Sequence, residues 1–228
     1  MANPYITPAL FKFFRELATN NDREWFQAHK ERYEAKVREP LLQFVRDFEP
    51  ELHQISPNFV ADARRTGGSL FRLHRDVRFS NDKSPYKTAA GIHFRHNSGR
   101  DVHGPGYYLH LEPGNLFAGA GIWHPETKTL VLLRNFIAEK SEGWLQAVTD
   151  PEFTAHFTLN GERLKRPPRG FDPNHPFIED LKRKDFIGVS ALTQRDVCAD
   201  DFLERFTARC RAAAPFMEYL TMAVGLSW

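Results

Sequence analysis

The amino-acid sequence predicts one α+β domain, in which an antiparallel sheet of about five or six strands packs against N-terminal and C-terminal helices. Apolar residues recur at helical spacing over residues 7–53 and 126–228, whereas short alternating segments fill residues 57–122. Short links between these segments favour an antiparallel meander over alternating βαβ units. The order helices, sheet, helices is typical of the α+β class, and 228 residues can bury one core. We therefore treat residues 1–228 as a single domain.

The N-terminal helices have clear start signals. Thr7 precedes Pro8, which gives a hydroxyl N-cap followed by the residue best suited to the first helical position. Asp22 or Asn21 is expected to cap a second helix, because a short polar side chain can accept a hydrogen bond from the first turn. Pro40 is expected to kink or restart the helix, which then continues to about residue 53.

The predicted sheet is built from short strands. They cover residues 59–61, 69–79, 89–96, 107–112, 116–122 and, later in the chain, 186–189. A turn signal, Pro113-Gly114-Asn115, joins two of them. After residue 126 helical patterns return, interrupted by a basic, proline-rich loop at residues 164–176. A short helix is expected at 177–184, followed by one final helix that Asp200 or Asp201 caps.

The longest predicted strand, residues 69–79, has an unusual charge pattern. Its alternation directs one set of side chains to the core and the other set to the opposite face. The core set is Phe71, Leu73, Val77 and Phe79, and the opposite set is Arg72, His74, Asp76 and Arg78. Arg75 falls on the apolar side, so we expect either a bulge or an acidic partner for a buried guanidinium.

Positive charge is concentrated in two segments, although the whole chain is nearly neutral. The 31 basic and 29 acidic residues argue against a protein that binds any polyanion through its overall charge. Residues 60–100 contain nine basic and three acidic side chains, and residues 161–184 contain seven and four. Such clusters suit a phosphate or a carboxylate. The candidate ligand-binding residues are Arg65, Arg72, Arg78, Lys83, Tyr86, Lys87, Lys165 and Arg166.

Several runs of residues in these segments match a known family pattern. They are Arg65 to Arg72, Arg75 to Ser80, Asp82 to Thr88, Tyr108 to Pro113, Gly119 to Trp123 with Pro125, and Leu164 to Phe171. With these runs, nearly the whole chain resembles the domain of unknown function 2461 family. The resemblance implies a single bacterial α+β domain and implies no activity.

Three functional hypotheses remain open. The leading one is a site for an anionic small molecule, containing phosphate or carboxylate, on the basic strand and loop of residues 65–88. The second is an enzyme that uses the same pocket, with Asp76 or His74 as the acid/base. The third is a nucleic-acid-associated protein, in which the two basic segments form one surface. A purely structural network of ion pairs among Arg72, Asp76 and Arg78 is the alternative to all three.

The sequence identifies no metal ligand and no cofactor. The histidines lack a close-spaced metal-binding motif, and a loop with His96, Asp101 and His103 is where a metal could bind. Cys198 and Cys210 are expected to be buried thiols, which suits a reducing compartment. No apolar stretch reaches about 18 residues and no signal-peptide pattern opens the chain, so we expect a cytoplasmic protein without a membrane contact. The sequence leaves the oligomeric state open.

Overall fold

A computed structural model of the chain describes residues 3–78, 80–98 and 103–228. Within these residues, six strands form one antiparallel sheet in the order β1-β2-β3-β4-β6-β5. The strands are β1 (Phe59–Val60), β2 (Ala90–His96), β3 (Gly106–Glu112), β4 (Asn115–Ile122), β5 (Thr158–Asn160) and β6 (Phe186–Leu192). The predicted α+β class and antiparallel sheet are confirmed. The short strand β5 has no counterpart among the predicted strands.

Helices precede the sheet and return after β4, as predicted, and β5 and β6 lie among these later helices. The N-terminal ones are α1 (Pro8–Thr19), α2 (Arg23–Ala28), α3 (Lys30–Tyr33) and α4 (Glu39–Ile55). The others are α5 (Thr127–Glu139), α6 (Ser141–Thr149), α7 (Pro151–His156), α8 (Ile178–Leu181), α9 (Gln194–Val197), α10 (Phe202–Ala212) and α11 (Ala214–Ala223). A π-helical turn at Glu34–Arg38 joins α3 to α4, and Pro40 lies in the first turn of α4. No helix in the described part of the chain is long and apolar enough to cross a membrane.

The expected single final helix is wrong, because α10 and α11 are separate helices. The chain leaves the helical pattern at Ala213, and Pro215 lies in the first turn of α11. A proline lacks the N–H that an uninterrupted helix needs and its ring clashes with the preceding turn, so the helix has to restart there.

The helices cover one face of the sheet. Cross-strand partners share a face, and Phe94, Tyr107 and Ala120 are partners that are all buried. The Phe94 ring lies 4.7 Å from Phe48 of α4 and 6.0 Å from Phe206 of α10, measured between ring centroids. These contacts place the hydrophobic core between the sheet and the helices.

The opposite face of the sheet is half-buried, and we call it the open face. Its residues on β3, β4 and β6 are Tyr108, His110, Glu112, Phe117, Gly119, Ile187 and Val189. Each of them is only partly covered, in contrast to their neighbours along each strand. The open face therefore presents aromatic side chains to the solvent.

The prediction of a long strand at residues 69–79 is wrong. The backbone of Ser69 and Phe71 bonds to β2, through His93 N to Ser69 O at 2.8 Å and Phe71 N to Gly91 O at 2.9 Å. The chain then turns from the sheet and pairs with its own continuation, where His74 bridges Tyr86. Pro85 has no N–H to extend that pairing, so the ladder stays short.

Burial within this segment follows the predicted alternation in part. Leu73 is buried and Phe71 is half-buried, whereas Arg72 and His74 are exposed. Phe79 lies outside the described residues. Arg75 forms an ion pair with Asp82, so it has the expected acidic partner, but the pair is partly exposed and not buried as predicted.

Candidate functional site

The basic segment, residues 65–88, is positioned by two short stretches of backbone pairing. One attaches residues 69–71 to β2, and the other joins residues 73–75 to 85–87 through Arg75 N to Pro85 O at 2.9 Å and Lys87 N to Leu73 O at 2.8 Å. Arg72 lies between the two attachments, so its backbone is held on both sides. Lys87 lies opposite Leu73 and is brought to the same region.

A cavity of about 250 Å³ lies between the segment and the N-terminal helices. Three guanidinium groups line it, from Arg38, Arg65 and Arg72, together with the aromatic side chains of Tyr33 and Phe71. The wall therefore combines cationic and apolar surface, which is common in pockets for small ligands. Arg38 was not among the residues that the sequence indicated, because it lies on a helix some 30 residues before the basic segment.

Two of these arginines are neutralised by carboxylates of the preceding helices. Arg65 lies 2.6 Å from Glu34 and 3.0 Å from Glu39, and Arg38 lies 2.7 Å from Glu34. These ion pairs attach the loop to the π-helical turn. Their charge is already balanced, so they contribute less to the attraction of a further anion.

Further candidates are also engaged within the protein. Arg78 makes a two-pronged contact with Asp76, at 2.9 and 2.7 Å. Lys83 donates to the carbonyl of Val77 at 3.0 Å. Tyr86 is buried, with its ring 4.3 Å from that of Phe26, and burial raises the pKa of its hydroxyl. The ion-pair alternative is thus present for Arg78, although Arg72 is not part of a salt bridge with Asp76.

Arg72 and Lys87 differ from the other basic side chains. Within the described residues, neither has a carboxylate at salt-bridge distance. The Lys87 ammonium lies 5.3 Å from the centroid of the Phe71 ring. Partial burial lowers the pKa of Lys87, and the positive charge of Arg72 lowers it further. Two neighbouring cations thus raise the local potential, and in the part of the chain that the structure describes neither is paired with a carboxylate, although the charge of Arg72 helps to lower the pKa of Asp76.

The structure does not bring Lys165 and Arg166 to this place. Both follow β5, and their loop is attached by Leu164 N to Lys182 O at 2.7 Å. The basic segment pairs with β2, four strand positions away from β5, which corresponds to roughly 19 Å at ordinary strand spacing. The two basic segments therefore lie at opposite edges of the sheet.

The two acid/base candidates of the sequence have different surroundings. Hydrogen bonds from the Arg78 side chain lower the pKa of Asp76 to about 2. A carboxylate so well stabilised as an anion is a weak base. His74 is exposed, with its ring 5.0 Å from Tyr86 and 6.3 Å from Phe26.

A chain of aromatic rings continues from the basic segment across the open face. The Phe71 centroid is 6.0 Å from that of Tyr108, and Tyr108 is 5.8 Å from Phe117. His110 stacks on Phe117 at 4.9 Å with an angle of 20° between the rings. The Tyr108 hydroxyl lies 3.0 Å from Nδ1 of His110, and burial raises the pKa of Tyr108 to about 12. Lys87 contacts the first of these rings, Phe71, and the backbone pairing of Phe71 with β2 and the register of β2 with β3 connect it to the others.

The histidines proposed from the sequence as a possible metal loop have other contacts. Nε2 of His96 lies 2.8 Å from the carbonyl of Ser227, and Nδ1 of His103 lies 3.0 Å from the carbonyl of Trp123. Asp101 lies outside the described residues. Among the residues that are described, no three His, Cys, Asp or Glu side chains are arranged to hold a metal ion.

Comparison with known proteins agrees with the motifs of the basic segment. A family model described as "Conserved hypothetical protein (DUF2461)" matches residues 9–219. The chain belongs to this family. No curated protein and no solved structure matches the chain. The DUF2461 description names no ligand or reaction, so a function for this member has to be argued from the chemistry of its surfaces.

Proposed function

We propose that this DUF2461 protein binds a small anionic molecule, whose phosphate or carboxylate group contacts Arg72 and Lys87. The observation that carries the proposal is a pair of neighbouring cations that form no salt bridge with any described residue, among arginines that mostly do. Partial burial and Arg72 lower the pKa of Lys87, which means that the charged form of Lys87 is less stable in the empty site than in water. A bound anion would offset that destabilisation and raise the pKa of Lys87 again.

The surroundings favour an anion that also carries a planar ring. Phe71 contacts Lys87 and continues into the rings of Tyr108 and Phe117 on the open face. Aromatic side chains stack on planar groups, and every nucleic-acid base offers such a face. A nucleotide, with a phosphate for the two cations and a base for the rings, matches this combination best.

The test compares ligands and variants by isothermal titration calorimetry. Inorganic phosphate, pyrophosphate and adenosine monophosphate are the probes, each at low salt. Arg72→Gln and Lys87→Met should each weaken binding about 10-fold to 100-fold, because a charge-assisted hydrogen bond contributes roughly 1.5–3 kcal/mol. Arg64→Gln is the matched control, since Arg64 is an exposed arginine of the same region that pairs with Asp62.

Each result has a defined meaning. Equal affinities for the wild type, Arg72→Gln and Lys87→Met would contradict the proposal, as would the absence of binding of all three probes at millimolar concentration. If Arg64→Gln weakens binding as much as Arg72→Gln does, the loss comes from the lower net charge of the region, and a specific site at Arg72 is contradicted. Tight, strongly salt-dependent binding of mixed-sequence RNA instead of the small probes would favour the nucleic-acid hypothesis.

A further inference from the structure

A second group of reactive side chains lies at the other end of the strands. His124 follows β4, Asp185 directly precedes β6, and Glu162 follows β5. Because β4, β6 and β5 are antiparallel neighbours, the end of β4, the end of β5 and the start of β6 lie side by side at one end of the strands. The basic segment pairs with the start of β2, which lies at the opposite end of the strands. The end of β4, by contrast, lies beside the start of β3, so the two sites are separate.

The carboxylate of Asp185 is buried and fixes the imidazole of His124. Its side chain is 2% exposed, and Oδ1 lies 2.9 Å from Nδ1 of His124. The same carboxylate accepts hydrogen bonds from the backbone N–H of His124 at 2.8 Å and of Glu162 at 3.0 Å. A histidine that donates from Nδ1 to a carboxylate keeps Nε2 as the unprotonated nitrogen when the ring is neutral.

The backbone adopts unusual conformations to hold this pair. His124 has φ of +47°, and it is the one non-glycine residue with positive φ in the described ranges 3–78, 80–98 and 103–228. Gly161 has φ of +110°, and a Cβ there would lie 2.5 Å from the Cβ of Asp185. Backbone of this kind persists where the surrounding structure requires it, and functional sites are frequent places for it.

The open nitrogen of His124 lies beside an exposed aromatic surface. The His124 side chain is 50% exposed, and Nε2 has no hydrogen-bond partner among the residues that the structure describes. The indole of Trp123 is 52% exposed and its centroid lies 4.2 Å from the His124 ring. His103 stacks on Trp123 at 5.9 Å. A planar substrate group could therefore lie against these rings, with a water molecule between Nε2 and its reactive carbon.

We propose that His124 is the catalytic general base of a hydrolytic site for neutral esters with a planar group, and that Asp185 is its positioning residue. Glu162 and Lys184 pair at 2.8 Å, so the lysine that precedes Asp185 already has its own carboxylate and leaves Asp185 to the imidazole. This inference is independent of the anion site, because it uses none of its residues.

The chemical step is a proton transfer coupled to acyl transfer. Nε2 accepts a proton from a water molecule as the water oxygen forms a bond to the ester carbonyl carbon, and the π pair of the carbonyl moves to its oxygen to give a tetrahedral intermediate. The carbonyl double bond then re-forms as the bond from that carbon to the leaving oxygen breaks, and the leaving oxygen takes the electron pair of the broken bond and receives the proton back from Nε2. Asp185 stabilises the imidazolium that exists between the two transfers.

The experiment measures hydrolysis of p-nitrophenyl acetate by the full chain. His124→Asn is the main variant, because asparagine tolerates positive φ and its amide can still donate to Asp185, but it has no basic nitrogen. His156→Asn is the control, since His156 is an exposed histidine on α7. We expect kcat/KM to fall at least 10-fold in His124→Asn and to remain unchanged in His156→Asn, with both variants folded by circular dichroism.

Asp185→Asn tests the positioning role. We expect kcat to fall more than KM changes, and the ¹⁵N NMR shifts of the His124 ring to lose the pattern of a single Nδ1–H tautomer. The proposal is overturned if the wild type hydrolyses the ester no faster than buffer, if His124→Asn retains the wild-type rate, or if both histidine variants lose activity equally. None of these results depends on whether Arg72 and Lys87 bind an anion.

Discussion

At the scale of single residues, the environment of each side chain decides whether a sequence signal is functional or structural. Counting charges along the chain is sufficient to find the segment that contains Arg72 and Lys87. It could not separate them from Arg65, because the carboxylates of Glu34 and Glu39 that neutralise Arg65 lie about 30 positions earlier. Such partners become visible only when the fold brings distant segments together.

Two glycines with positive φ differ in why a side chain is disfavoured at their positions. Gly121 and Gly114 both have positive φ, +133° and +86°, a region that other residues rarely adopt. A Cβ at Gly121 would lie 2.0 Å from the carbonyl oxygen of Phe186, whereas a Cβ at Gly114 would have nothing within 4 Å. Gly121 thus allows β4 and β6 to approach closely, and Gly114 only has to make the turn.

Alanine at each glycine separates these two effects. We expect Gly114→Ala to lower the free energy of unfolding by about 1 kcal/mol, which is the cost of the backbone conformation alone. Gly121→Ala should lower it by about 3 kcal/mol, because the strands must also move apart. Urea denaturation followed by circular dichroism measures both. Equal losses in the two variants would mean that the close approach of Phe186 has no energetic consequence.

At the scale of elements, the sequence predicts helix starts and most strands well but fails on the basic segment. Thr7 and Asp22 both occupy N-cap positions, as expected. Residues 69–79 alternate like a strand, yet β1 and residues 69–71 share one edge of β2, and the rest of the segment finds no further strand to pair with. Alternation shows which side chains can share a face, but it does not show that a partner strand exists.

The two N-caps provide a direct comparison of helix-start energies. The Asp22 carboxylate accepts a hydrogen bond from Trp25 N at 2.8 Å, whereas the Thr7 side chain makes no capping bond. Asp22→Ala should therefore cost about 1 kcal/mol of stability, the usual contribution of such a cap, and Thr7→Ala should cost much less. Thermal unfolding of the two variants checks this difference. A larger loss in Thr7→Ala would show that its hydroxyl caps the helix in solution.

At the scale of the whole molecule, the two faces of the sheet and one end of its strands have different chemistry. Helices cover one face, the open face carries a chain of rings that continues to Phe71 beside Lys87, and the His124–Asp185 pair lies where β4 and β5 end and β6 begins. The fold class and chain order of these elements could be predicted from periodicity. The register between strands could not be predicted in this way, and the register is what places His93, Tyr108 and Gly119 side by side on one face.

The buried His93 gives the molecule an expected response to pH. Burial, with a smaller effect of the Arg95 charge, lowers the pKa of His93 from 6.5 to about 4. The unfolded chain keeps the ordinary pKa, so between about pH 6.5 and pH 4 the unfolded state binds more protons than the folded state. Stability attributable to His93 is therefore complete above pH 6.5 and falls by roughly 3 kcal/mol as the pH decreases to about 4.

Denaturation with urea at pH 7.0 and pH 4.5 measures this loss in the wild type and in His93→Gln. The variant carries no titrating group at this position, so its stability should change much less between the two pH values, whatever its stability at pH 7. His156→Gln is the control, because an exposed histidine should leave the wild-type pH dependence intact. Carboxylates with lowered pKa values, such as Asp62 and Asp76, lose their contribution mainly at still lower pH, so they do not mask the effect. The same pH dependence in the wild type and in His93→Gln would mean that the His93 ring is accessible to protons in the folded protein, and that the sheet is less tightly covered near β2 than its burial indicates.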